Sequence, residues 1–86
     1  MAPKGKGQKT PTKSREWIEA ECVRLARQVL GGREIERVTI RRLKPRGPGP
    51  NWKVADLIPQ PALLVSERVR AKLARLPDDY TLDDQS

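Results

Sequence analysis

Residues 35–58 read Ile35-Glu36-Arg37-Val38-Thr39-Ile40-Arg41-Arg42-Leu43-Lys44-Pro45-Arg46-Gly47-Pro48-Gly49-Pro50-Asn51-Trp52-Lys53-Val54-Ala55-Asp56-Leu57-Ile58. The first ten carry a β-branched cluster with alternation, Val38 and Ile40 on one face and Arg37, Thr39 and Arg41 on the other. Leu43 breaks that parity, so either the strand has ended by Leu43 or a bulge between Ile40 and Leu43 resets the face. Three prolines within residues 45–50 forbid helix and deny ladder donors. The connection is too long for a two-residue turn, which predicts a hairpin with a wide, semi-rigid tip. Trp52 to Ile58 reads as the second strand, with Trp52 and Val54 on one face and Ala55 and Leu57 on the other. Pro59 and Pro61 stop it.

A bare two-stranded hairpin is barely stable in water, so it must pack on something. The flanking sequence supplies two amphipathic helices. In the first, Ser14 is the N-cap candidate and Glu16 and Glu19 favour the helix dipole. Ile18, Cys22, Leu25 and Val29 then recur with helical period, Ala26 and Leu30 widen the stripe, and Gly31-Gly32 ends it. In the second, Val65, Val69, Leu73 and Leu76 form the stripe before Pro77. Its start is open between a cap at Ser66 and one turn earlier at Ala62. The expected fold class is therefore α+β, of order helix–strand–strand–helix, with both helices on one face of an antiparallel β-hairpin. Residues 1–13 read as a disordered basic tail, 14–77 as one domain and 78–86 as an acidic tail. Within the last, Tyr80-Thr81-Leu82 is short enough to dock as an extra extended segment.

Eighty-six residues without phenylalanine make a small core. A folded part of about 60 residues buries only about 60% of its unfolded surface. A single cysteine excludes an internal disulfide, and self-association is the remaining way to bury apolar surface. Cys22 falls in the helical stripe and reads as a small hydrophobe. The N-terminus lacks an apolar secretory segment, and the longest apolar run, Ala62 to Val65, is far too short to span a bilayer. A cytoplasmic, reducing setting is the expectation.

Catalysis fails on inventory. The chain has no histidine, which removes triads, His-based acid–base chemistry and the usual zinc sets. Pro48 and Pro50 deprive the glycine-rich tip of the N–H groups a phosphate cradle needs. No enzyme, metal or cofactor is expected.

Charge is the strongest global signal. The net charge is +7; residues 1–15 hold five Lys/Arg and no acid, residues 16–76 thirteen against seven, and residues 77–86 four acids and no base. Such an imbalance favours polyanions. The candidate nucleic-acid contacts are Lys4, Lys6, Lys9 and Lys13 in the tail, then Arg41, Arg42, Lys44, Arg46 and Lys53 around the hairpin. Arg68, Lys72 and Arg75 form a stripe on the last helix, with Arg70 on another side. Trp52 is either the hairpin's core anchor or a stacking surface for unpaired bases. The cations are either phosphate contacts or a solvated face.

The run Arg46-Gly47-Pro48-Gly49-Pro50-Asn51-Trp52-Lys53-Val54-Ala55, after a helix and a short strand, resembles a group of short, uncharacterised bacterial proteins of alphaproteobacterial type with a G-P-N-W hairpin tip. That resemblance implies no activity. The element order is also similar to that of the double-stranded RNA-binding domain, with Gly49-Pro50 in a comparable loop. The third strand and the lysine cluster of that domain are missing here. The expectation from the charge pattern is a non-enzymatic nucleic-acid-binding or nucleic-acid-associated accessory protein. The alternative is a protein-interaction module, including a homodimer, that meets an acidic partner. Membrane binding is disfavoured because the helices commit their apolar stripes to the core.

Overall fold

The computed structural model describes residues 10–44 and 49–83. Seven elements follow one another: β1 (Thr12–Lys13), α1 (Arg15–Ala26), β2 (Arg37–Arg42), β3 (Trp52–Ile58), α2 (Leu63–Leu73), α3 (Leu76–Asp79) and β4 (Thr81–Leu82). The α+β reading and the antiparallel hairpin of β2 and β3 hold. The helix–strand–strand–helix order is incomplete, because a short third helix and a parallel pair of β1 with β4 are added to it.

Helix α1 starts where the sequence places it, since the Ser14 side chain accepts the Trp17 N–H at 3.1 Å. It ends a turn early. Ala26 is its last residue, and Leu30 lies beyond it, 80% exposed instead of extending the apolar stripe. The chain then reverses through Gly31, whose φ of 89° suits glycine, and Gly32, where a Cβ would stand 2.2 Å from the Ala26 carbonyl oxygen.

The hairpin pairs Arg37 with Ile58 and Arg42 with Trp52, and a bulge interrupts it, since Thr39 faces Asp56 while Ile40 faces Val54. Ala55 is thus the extra residue on β3. The irregularity expected beyond Ile40 sits on the opposite strand, while β2 has simply ended by Leu43. The bulge also answers the parity of β3. Trp52 and Leu57 are both buried, although five positions apart, because Ala55 resets the alternation between them.

Helix α1 packs along β2 and against α2, and α2 touches β3. Ile18, Cys22 and Ala26 of α1, Val38 and Ile40 of β2, Trp52 and Leu57 of β3, and Val69 and Leu73 of α2 join one core with Ile35, Leu76 and Leu82. Both helices therefore cover the inner face of the hairpin. Side chains of α1 also close the outer edge of β2. Arg15 donates to the Ile40 carbonyl at 2.8 Å, and the Glu19 carboxylate accepts the Ile40 N–H at 3.2 Å. These two bonds satisfy the outward backbone groups of Ile40 at the middle of the edge strand.

Helix α2 begins at Leu63, the earlier of the two expected starts, and Ser66 is buried within it instead of capping it. It stops at Leu73, short of the expected Leu76; that residue opens α3, with Pro77 in the first turn, where a missing N–H costs nothing.

The expected tail boundaries also move. Thr12 pairs with Thr81 and Lys13 with Leu82, with Thr81 N–H donating to Pro11 and Asp83 N–H to Lys13, each at 2.9 Å. Residues assigned to two tails thus form one pair, held because Leu82 buries its side chain in the core. No described helix is long and apolar enough to cross a membrane.

Candidate nucleic-acid interface

The hairpin's outer face carries the candidate site. Alternation on β2 turns Arg37 and Arg41 outward while Val38 and Ile40 turn in, as the sequence predicts. The register then sets Arg41 directly opposite Lys53, both exposed. Like charges at opposed positions of an antiparallel pair repel. A third cation joins them from α2, where Arg70 donates to the carbonyl of the bulged Ala55 at 3.1 Å. A recess lined by Arg41, Lys53, Val54, Ala55, Asp56 and Arg70 results, with one acid against three cations. Asp56 is anchored beside it through its N–H, which donates to the Thr39 hydroxyl at 3.1 Å.

The bulge is what builds this recess. By inserting Ala55, it presents a carbonyl toward the α2 flank, and Arg70 reaches across to it. Arg70 was set apart from the candidate contacts in the sequence, because on a helical wheel it lies away from Arg68, Lys72 and Arg75. The pattern that could have revealed it was the parity break between Trp52 and Leu57, which marks the bulge.

The Arg68/Lys72/Arg75 stripe lies elsewhere. All three are exposed, yet Lys72 and Arg75 line a second recess, between α2, α3 and α1, that also holds Glu21, Asp79 and Tyr80. Arg75 lies in the turn that caps α3, beyond the end of α2. The cations therefore divide between the two flanks of α2, and acids accompany the second group. Glu21 is engaged by Arg24, whose Nε donates to it at 3.0 Å, and that bond holds the carboxyl below its ordinary pKa.

Lys13 and Arg42 are tied into the fold. Lys13 sits in β1 with its ammonium 4.7 Å from the centre of the Trp17 ring. Arg42 donates to the Asp83 carbonyl at 2.7 Å. Lys44 is exposed just past β2. Lys4, Lys6, Lys9 and Arg46 lie outside the described residues.

Trp52 is corrected outright as a stacking surface. It is 0% exposed, and its indole N–H donates to the Tyr80 carbonyl at 2.9 Å. With so few large side chains in the chain, the core claims this one. The accessible indole is Trp17, 37% exposed and edge-on to Tyr80 with ring centroids 4.9 Å apart. Cys22 is 0% exposed, and burial pushes its thiol up to about 12, so it is no nucleophile at neutral pH.

The chain matches no family model, and no curated protein or solved structure matches it.

Proposed function

We propose that this protein binds nucleic acid electrostatically, through the outer face of the hairpin and the adjoining flank of α2. The observation that carries the reading is the placement of Arg41 opposite Lys53 with Arg70 on the same recess. Three cations held together by register and a bulge create a local potential that a phosphate relieves. An anion seated between Arg41 and Lys53 turns a repulsive pair into two attractive contacts. Arg37 and Lys44, exposed along and beyond β2, extend the positive face.

Recognition of this kind positions a backbone and reads no base edge. Neither Trp52, which is buried, nor a cradle of backbone N–H groups takes part. The role is that of a binder without catalysis, which accords with a chain lacking histidine and with a sequestered thiol.

The test is fluorescence polarisation of labelled RNA and DNA against the protein across a salt series. Engagement of two to three phosphates at the recess gives a log–log slope of roughly −2 to −3 on duplex. Arg41→Ala/Lys53→Ala should flatten that slope by about two contacts, while Lys72→Ala/Arg75→Ala changes it less. No binding at low salt, or equal losses from the two pairs, rejects the assignment.

A further inference from the structure

The bulge that gives Arg70 its carbonyl also sets an acid beside the cations. Lys53 and Asp56 lie three residues apart on β3, a spacing that puts side chains on opposite faces of a regular strand. The extra residue at Ala55 returns Asp56 to the face of Lys53. It stands opposite Thr39, one outward step along the ladder from the Arg41–Lys53 pair. That step covers two residues of β2, about 7 Å. Asp56 is exposed and lines the recess with Arg41, Lys53 and Arg70. Among the described residues, however, its carboxylate forms no ion pair with any of the three. The bond to Thr39 uses the Asp56 N–H, and Arg70 donates to the Ala55 carbonyl. Arg37, the next outward residue on β2, is exposed, while Glu67, a turn before Arg70 on α2, does not line the recess.

A carboxylate in a phosphate-binding recess repels its ligand unless the ligand brings a hydrogen-bond donor. Arginine and lysine side chains only donate, and an ionised carboxylate only accepts. The sugar–phosphate backbone of DNA presents acceptors alone, so it meets Asp56 as repulsion. RNA adds one backbone donor per nucleotide, the 2′-hydroxyl. We propose that the recess selects RNA over DNA: with a phosphate between Arg41 and Lys53, Asp56 accepts a hydrogen bond from an adjacent ribose 2′-hydroxyl. A hydroxyl donating to a carboxylate makes a charge-assisted bond. An acid placed merely to temper the repulsion of Arg41 and Lys53 would pair with one of them, and that pair is not formed. The inference rests on the nucleic-acid reading of this face and adds the sugar to it.

Fluorescence polarisation of the full chain with three labelled single strands of equal length tests this: oligouridylate, oligodeoxyuridylate and 2′-fluoro-oligouridylate. The base is constant, and the fluoro strand keeps a ribose-like pucker without the donor. The wild type should bind the ribo-oligomer roughly three- to tenfold more tightly than either of the others. Asp56→Ala keeps the N–H that bonds Thr39, so its thermal midpoint should stay close to that of the wild type. It should bring the three affinities together, chiefly by strengthening the two strands that lack the hydroxyl. Equal affinities in the wild type, a fluoro strand that binds as RNA does, or a preference that persists in Asp56→Ala overturns the inference. Salt-dependent binding that is lost in Arg41→Ala/Lys53→Ala would then leave the electrostatic reading standing. Failure of every strand to bind at low salt overturns both. The fluoro comparison needs the wild type alone, so it decides the matter even where the variant does not fold.

Discussion

Asn51 holds Leu82 as a strand would: its side-chain amide donates to the Leu82 carbonyl at 3.0 Å and its side-chain oxygen accepts the Leu82 N–H at 3.0 Å. The next residue repeats the arrangement, with the Trp52 indole donating to Tyr80. The end of the hairpin is thus a dock for the chain's last described segment, and β1 closes that segment from its other side. The Asn51-Trp52 pair at the hairpin tip has a structural use that requires no ligand.

Replacing Asn51 tests that dock. Asn51→Ala leaves both Leu82 groups short of a partner and should cost about 1–3 kcal/mol. Asn51→Asp keeps the shape but sets a carboxylate against the Leu82 carbonyl, so it should destabilise at least as much. The midpoint of urea unfolding reads both, and an unchanged midpoint in either would refute the role.

Truncation after Asp79 removes Leu82 from the core and uncovers Trp52. Loss of a buried leucine alone costs about 2–5 kcal/mol, a large part of what a domain this small possesses. The expected result is a much lower thermal midpoint together with a red shift of tryptophan emission.

The two indoles should separate optically. Trp17→Phe leaves only Trp52, whose emission should be blue-shifted and resistant to acrylamide, whereas Trp52→Phe leaves the half-exposed Trp17 and a readily quenched signal. Trp52→Ala should cost about 3–5 kcal/mol. Equal quenching in the two single-tryptophan variants would contradict the burial of Trp52.

Arg41 and Lys53 should be dispensable for folding. Because they repel across the hairpin, Arg41→Ala/Lys53→Ala should leave stability unchanged or raise it by a few tenths of a kcal/mol, up to ~1 kcal/mol. A marked loss of stability would mean that these side chains serve the fold instead of a ligand.

Cys22 makes stability fall in alkali. Its thiol is raised from 9.0 to about 12 by burial and by the nearby Glu19 and Glu21 carboxylates, so above pH 9 the unfolded chain sheds a proton that the folded chain retains. The contribution is complete below pH 9 and is lost toward pH 12, at up to about 1.4 kcal/mol per pH unit. Cys22→Ala should start less stable and decline less steeply over that window. Lysine titration affects both proteins alike, so the difference in slope isolates the thiol. Parallel slopes would show that the thiol does not retain its proton in the folded chain.

Local pattern determined much of this molecule. The Ser14 cap, the Ile18-Cys22 spacing, the Val38–Ile40 alternation and the Val69-Leu73 spacing each record a buried face within a single element, where 3.6- and 2-residue periods leave a legible trace. The prolines of residues 45–50 likewise announce a hairpin connection. What the tertiary structure decided has no period. Two-residue strands such as Thr12–Lys13 and Thr81–Leu82 are too short to alternate, and their pairing depends on Asn51 and Trp52, some 30 residues before the second of them. The site follows the same division. Arg41 and Lys53 were legible as cations flanking a turn, but their direct opposition required the register, and Arg70 joined them only because a bulge at Ala55 offered it a carbonyl. Sequence writes which faces are apolar; which distant groups share a hydrogen bond or a potential is settled only when those faces close on one another.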